Sequence, residues 1–206
     1  MPPSPKLVPK KQPRPERSRE TVSAILEATL WLIRAEGMEG LNTNRIAELA
    51  GVSVGSLYQC FPSKEALAGA LLEAHLAGIK ELLVARLEGL SSSPLPEAIR
   101  ALIESAIDLY QSDPKVVATL ETLAPQFGRM WLVHQIRDEV AELAVTLLKR
   151  HPREVRPRDS ARAGQIVVRA LDGVLVDTLL LHPEELGHAE FREELVQLAL
   201  RYLLVT

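Results

Sequence analysis

Along almost the whole chain, apolar residues recur at intervals of three and four, the spacing that gathers them on one side of a helix. From Arg17 to Glu36 the stripe is Val22, Ile25, Leu26, Thr29, Leu32 and Ile33, and Gly37 ends it. A short connection, Gly37 to Leu41, leads to a second helix, which Thr43 is placed to N-cap, with Ile46, Ala47, Leu49 and Ala50 on one side. Gly51 follows the last periodic residue, where a helix commonly closes in a left-handed conformation that glycine adopts cheaply. Ser53 can cap a third helix, Val54 to Phe61, whose Leu57 and Phe61 are expected to pack back onto Ile46 and Leu49. Val54, Gly55, Ser56, Tyr58 and Gln59 are left facing outward, and Pro62 ends the helix. Two helices joined by a short glycine-containing turn, the second small and polar on its outer side, predict a helix-turn-helix that reads DNA.

Ser63 can cap a long fourth helix, with Glu65 well placed against its dipole, running through Leu67, Leu71, Leu76, Leu83 and Leu87 to about Leu90. It is long enough to link the reading head to the body. His75 lies on it and reads as a surface or core-edge residue, because no second ligand stands at metal spacing. After a Ser- and Pro-rich loop, Pro96 to Gln111 is helical with Ile99, Ile103, Ile107 and Tyr110 inward, and Pro114 starts a shorter helix. Pro125 is expected to open a helix to about Arg150, with Phe127, Trp131 and His134 on one face and Met130 alongside. That face, with Tyr110, is the candidate wall of an effector pocket; periodicity alone favours ordinary core residues instead. Ser160 to Leu181 is apolar on most sides and must be buried on most sides, which suggests a partner beyond its own core. The last helix presents Phe191, Leu195, Leu198 and Tyr202 as a stripe.

Composition sharpens this picture through its distribution. The 206 residues are 47% hydrophobic and 25% charged, enough for a real core, and the formal net charge is -3. The first 64 residues nevertheless hold nine Lys or Arg against six Asp or Glu, so a basic head precedes an acidic body. Residues 1–16 carry prolines at 2, 3, 5, 9, 13 and 15 among basic residues and are expected to form an extended arm. It either adds contacts to DNA or is a solvated tail, and the second is the commoner outcome. No stretch is long and apolar enough to span a bilayer, and the N-terminus has no apolar signal region, so a cytoplasmic protein is expected. The lone Cys60 has no internal partner; a packed structural cysteine is the safer reading against a redox sensor.

The run IAELAGVSVGSLYQCFPSKEAL, Ile46 to Leu67, closely resembles the DNA-binding domain of TetR-family transcriptional regulators. Its continuation Tyr58, Phe61, Ser63, Lys64, Glu65 and Leu67 is more restrictive than the helix-turn-helix alone; Cys60 departs from the larger residue often found there. The resemblance implies an all-α fold: a three-helix DNA-binding domain over 17–75, then an effector-binding and dimerisation domain over 76–206. It implies a DNA-contacting set of Thr43, Arg45, Ser53, Val54, Gly55, Ser56, Tyr58, Gln59 and Lys64. Tyr58, Lys64, Thr43 and Arg45 would meet phosphates, and readout would lean on Gln59, thymine methyls and DNA shape. The two C-terminal helices resemble the family's four-helix dimer interface, here Val167, Leu171, Val174, Leu175, Leu195, Leu198 and Tyr202.

The expected partners are a palindromic duplex, a second copy of the chain and a small apolar or amphipathic effector, with no cofactor and no membrane. The expected function is a ligand-released repressor. A regulator without an effector and an activator stay open as alternatives. An enzyme is disfavoured: the sequence holds no phosphate loop or HExxH, and its five histidines lack metal-ligand spacing.

Overall fold

The computed structural model of the protein describes residues 14–37, 41–90 and 92–205. The described residues form α1 (Arg14–Glu36), α2 (Thr43–Leu49), α3 (Val54–Cys60), α4 (Lys64–Gly89), α5 (Leu95–Ser112), α6 (Pro114–Gln126), α7 (Met130–Arg150), α8 (Ser160–Leu181) and α9 (Ala189–Leu203). The protein is all-α, as the periodicity predicts. The expected arm over 1–16 lies outside the described residues up to residue 13, and α1 takes up residues 14–16. The chain divides into two compact units between Lys64 and Glu65, at the start of α4, rather than after His75.

In the first unit, α1 packs on α2 and α3. Ile25, Leu32 and Ile33 of α1 are fully buried, with Ile46, Ala47, Leu57 and Phe61 completing the core. Thr29 belongs to the buried stripe because its hydroxyl donates to the Ile25 carbonyl at 2.7 Å, leaving no unsatisfied polar group. Asn42, not Thr43, caps α2: its side-chain oxygen accepts the Asn44 N–H at 2.9 Å, and Thr43 is the first helical residue. Leu49 is also displaced from its expected place. The buried side of α2 is centred on Ile46 and Ala47, so Leu49 falls beyond its edge and is 49% exposed. Gly51, at φ 63°, closes the helix as expected, with its own N–H on the Glu48 carbonyl and the Val52 N–H on the Ala47 carbonyl. Two residues on, Ser53 accepts the Ser56 N–H at 3.0 Å and starts α3.

In the second unit, α7 runs along α8, α5 packs on α9, and a 3-10 turn at Pro183–Gly187 bridges α5, α8 and α9. A continuous core joins Ile103 and Ile107 of α5, Leu147 and Leu148 of α7, Leu175 and Leu179 of α8, and Val196 and Leu203 of α9. An Arg100–Glu193 fork and an Arg192–Asp108 pair fasten the α5–α9 contact at its exposed edge. The loop after α7 is tied to the chain's end by an isolated bridge, Val155 to Leu204.

The expected helix from Pro125 to Arg150 is two elements. Pro125 lies inside α6, near its C-terminal end, and Gly128, at φ 63°, turns the chain before α7 begins at Met130. Phe127 therefore does not share a helix face with Trp131 and His134.

The α7–α8 contact is close at one point. A Cβ on Gly164 would stand 2.7 Å from Val145 Cγ2 and 3.2 Å from the Val145 amide nitrogen, so the helices approach where glycine leaves room. Gly164→Ala should cost about 1–3 kcal/mol through overpacking, despite alanine's better helix propensity. Denaturant unfolding checks this. An unchanged midpoint would mean that Val145 yields freely.

Candidate nucleic-acid interface and effector cavity

The outward side of α3 follows from what its inward side must bury. Leu57 is 1% exposed and Phe61, its C-cap, is 6% exposed, so the intervening positions turn away. Tyr58 is 45% exposed and Val54 37%; Ser53, Gly55 and Gln59 are also exposed, and Ser56 is half-buried beside its cap. Lys64 stands exposed at the first position of α4 and Thr43 is half-buried at the start of α2. Arg45 is exposed near the start of α2. Its guanidinium forms a fork with the Glu36 carboxylate at the end of α1, so its donors already have a partner. The sequence spacing held no sign of this, because the pair joins two helices across the connection.

The second unit holds a partly open cavity of about 190 Å³. Its wall is mostly aliphatic, with Leu72, Ile79, Leu102, Ile103, Val140 and Leu171 among its residues. Of the expected pocket residues only Tyr110 reaches it. Phe127, Met130, Trp131 and His134 do not line it; Trp131 is 53% exposed and His134 is exposed. With α7 starting at Met130, its inward stripe is Val133, Ile136, Arg137, Val140, Ala144 and Leu147, and the aromatic positions lie off that stripe.

Four polar residues that the sequence reading did not select line the cavity besides Tyr110: His75, Glu121, Arg137 and Asp172. A signal for them existed. Each occupies a core phase of its helix: His75 between Leu72 and Leu76, Glu121 between Val117 and Ala124, Arg137 four after Val133, and Asp172 between Val168 and Leu175. The Tyr110 hydroxyl donates to Asp172 Oδ1 at 2.8 Å. Arg137 Nε lies 2.6 Å from Asp172 Oδ2, close enough for a strong ion pair but misaligned for a hydrogen bond, so that buried N–H stays unused. Arg137 also faces Glu121 loosely, at 3.7 Å. Burial pushes the Tyr110 phenol up, helped by the Asp172 charge and its hydrogen bond. The Glu121 carboxyl is raised by burial; Arg137 opposes that shift and Asp172 adds to it. His75 is held below the usual histidine range by burial, with Asp113 opposing, and its Nε2 is buried without a hydrogen-bond partner among the described residues.

The residues expected at a dimer interface split between two sides of their helices. Val167, Leu171, Leu175 and Leu195 turn inward and line the cavity, and Tyr202 packs half-buried against the core. Val174 and Leu198 face out, at 39% and 51% exposure. Along α8 the outward apolar face is Ile166, Ala170, Val174 and Leu181, four or seven residues apart, with Ile166 48% and Leu181 63% exposed. A helix buried on one side and apolar on the other was legible in composition, but its orientation was not.

A short capped helix, a Schellman turn and an exposed second helix braced by a third define a helix-turn-helix DNA-binding protein. The family profile described as "Bacterial regulatory proteins, tetR family" matches residues 25–71, and "Tetracyclin repressor-like, C-terminal domain" matches residues 94–203. The chain belongs to the TetR family of DNA-binding transcriptional regulators. It is 31% identical over 115 residues to the nucleoid occlusion factor SlmA of Haemophilus ducreyi, covering 55% of this chain and 56% of that protein. Over 53 residues it is 47% identical to the class C tetracycline repressor of Escherichia coli, covering 26% and 24%. The chain spans about half the length of the curated relatives it matches first. A TetR-family regulator structure from Mesorhizobium loti shares the fold, with a TM-score of 0.73 at 19% identity, covering 92% of this chain and 99% of that one. Among the described residues no helix is long and apolar enough to cross a membrane.

Proposed function

We propose that this regulator is a homodimer that represses from a palindromic operator and is released when a small molecule fills the cavity of its second unit. The observation that carries the reading is the coexistence of an exposed α3 in the first unit and an apolar cavity of about 190 Å³ in the second. Two reading helices related by a twofold axis would enter major grooves ~34–36 Å apart. The outward apolar residues of α8, with Leu198 of α9, supply the surface for the second copy. An effector that weakens DNA binding must itself bind less tightly to the DNA-bound form.

In this reading Gln59 and Val54 approach base edges, Gly55 permits close approach, and Tyr58, Lys64 and Thr43 hold phosphates. Arg45 serves chiefly to tie α2 to α1 through Glu36. Selection of bound duplexes from a random pool, followed by sequencing, tests the reading: a palindromic motif is expected, and purely salt-sensitive binding without a motif would overturn it. On the selected duplex, Lys64→Ala should weaken binding to all sequences alike and lower the salt slope by about one. Gln59→Ala should instead erase discrimination at one position per half-site, by about 1–3 kcal/mol. Anisotropy titrations at several salt concentrations separate the two. Equal effects on all sequences from both variants would remove Gln59 from the base-reading set.

A further inference from the structure

The cavity's polar wall has an uneven charge count. Asp172 and Glu121 face a single guanidinium, that of Arg137, and Asp172 takes the closer share of it at 2.6 Å, against 3.7 Å for Glu121. Asp172 further accepts the Tyr110 hydroxyl. Glu121 is thus left as a largely shielded carboxylate with only a loose counter-charge, and its side chain is 18% exposed. His75 also lines the cavity, and burial there disfavours its charged form.

We propose that the cavity takes a hydrophobic cation, a molecule with one apolar body and one protonated amine, and that the amine pairs with Glu121 while the aliphatic wall holds the body. This rests on the reading of the cavity as an effector site. A buried charge is tolerated when it is paired and costly when it is not, so an entering ammonium relieves Glu121. An entering carboxylate would add a second unmatched negative charge. The unpartnered Nε2 of His75 offers a further hydrogen bond to a polar group on the body. Volume sets the size: an apolar cavity of ~150 Å³ accommodates a benzene ring, so 190 Å³ suits one aromatic ring with a short chain. Without a ligand, the raised carboxyl of Glu121 is the expected response of a shielded carboxylate with a loose counter-charge.

The test uses three probes that share a phenylpropyl frame and differ at the head: phenylpropylamine, phenylpropanol and phenylpropanoate. Binding to the 206-residue chain is measured by calorimetry, with ligand-induced melting shifts in parallel. The amine should bind on the order of tenfold or more tighter than the alcohol, and the carboxylate weakest. Glu121→Gln, which keeps shape and removes charge, should bring the amine down to the alcohol's affinity and leave the alcohol's own affinity unchanged. Alcohol or carboxylate binding as tight as the amine overturns the charge assignment and leaves the effector site standing. An amine preference that survives Glu121→Gln overturns the role given to Glu121. Absence of binding by all three overturns both this inference and the effector reading for molecules of this size, while DNA recognition is judged separately by duplex selection.

Discussion

Replacing Val174 and Leu198 together by Asp should convert the protein to a monomer of about 22.7 kDa and lower its affinity for the selected duplex by roughly a hundredfold or more. Both side chains are exposed in the single chain and neither belongs to its buried core, so the core itself is left intact. Val174 stands in the outward apolar row of α8 with Ile166 and Leu181, Leu198 is exposed on α9, and large exposed apolar residues gathered on a face mark interaction sites. In a twofold interface every substitution appears twice. The double variant would therefore set four carboxylates into an apolar contact, where each unpaired charge is strongly disfavoured. Two reading helices on one operator bind as a linked pair, and a monomer loses the benefit of the second. Sedimentation checks the mass, anisotropy the affinity, and circular dichroism the intact helices. A double variant that stays dimeric would place the interface elsewhere and remove α8 and α9 from it.

Leu57→Ala should destabilise the first unit by about 2–5 kcal/mol and abolish sequence-specific binding near its melting transition. Leu57 is the buried residue of α3 itself, 1% exposed, and with Phe61 it fixes which side of that helix faces out. The unit's buried apolar set is small, with Ile25, Leu32, Ile33, Ile46 and Phe61 as its large members, so a cavity there removes a large fraction of its stabilisation. A volume-conserving Leu57→Met should cost under about 1.5 kcal/mol and keep binding, which separates loss of packing from loss of a DNA contact. Chemical denaturation followed by far-UV ellipticity provides the readout. If the alanine variant unfolds and binds like the wild type, α3 is held by something other than this contact.

Much of the DNA-binding unit was legible in the chain because local rules suffice there. Gly51 needs a positive φ, Ser53 offers its oxygen to the next amides, and Leu57 with Phe61 leaves Tyr58 and Gln59 outward; each effect acts within a few residues. The number and type of helices in the second unit were legible for the same reason, since a stripe spaced at three and four is a property of one segment. The boundary after α6 is not legible in the same way: Pro125 forgoes one intrahelical hydrogen bond inside the last turn of α6, and the chain turns only at Gly128, with its positive φ.

What segment-level rules leave open is which partner each face meets. Val167 and Val174 are equally apolar and sit on one helix, yet one lines the cavity and the other faces out, because α7 occupies only one side of α8. The same holds for polar residues in apolar phase. His75, Glu121, Arg137 and Asp172 stand on four different helices, so their meeting is a consequence of packing rather than spacing. Arg45 likewise meets Glu36 of another helix, a pairing that its own segment does not announce. The sequence by itself determined the all-helical class, the helix-turn-helix and its outward residues, because backbone conformation and amphipathic phase are decided locally. Only the tertiary structure decided the cavity, its polar wall and the orientation of the apolar faces, because those depend on side chains brought together from distant segments.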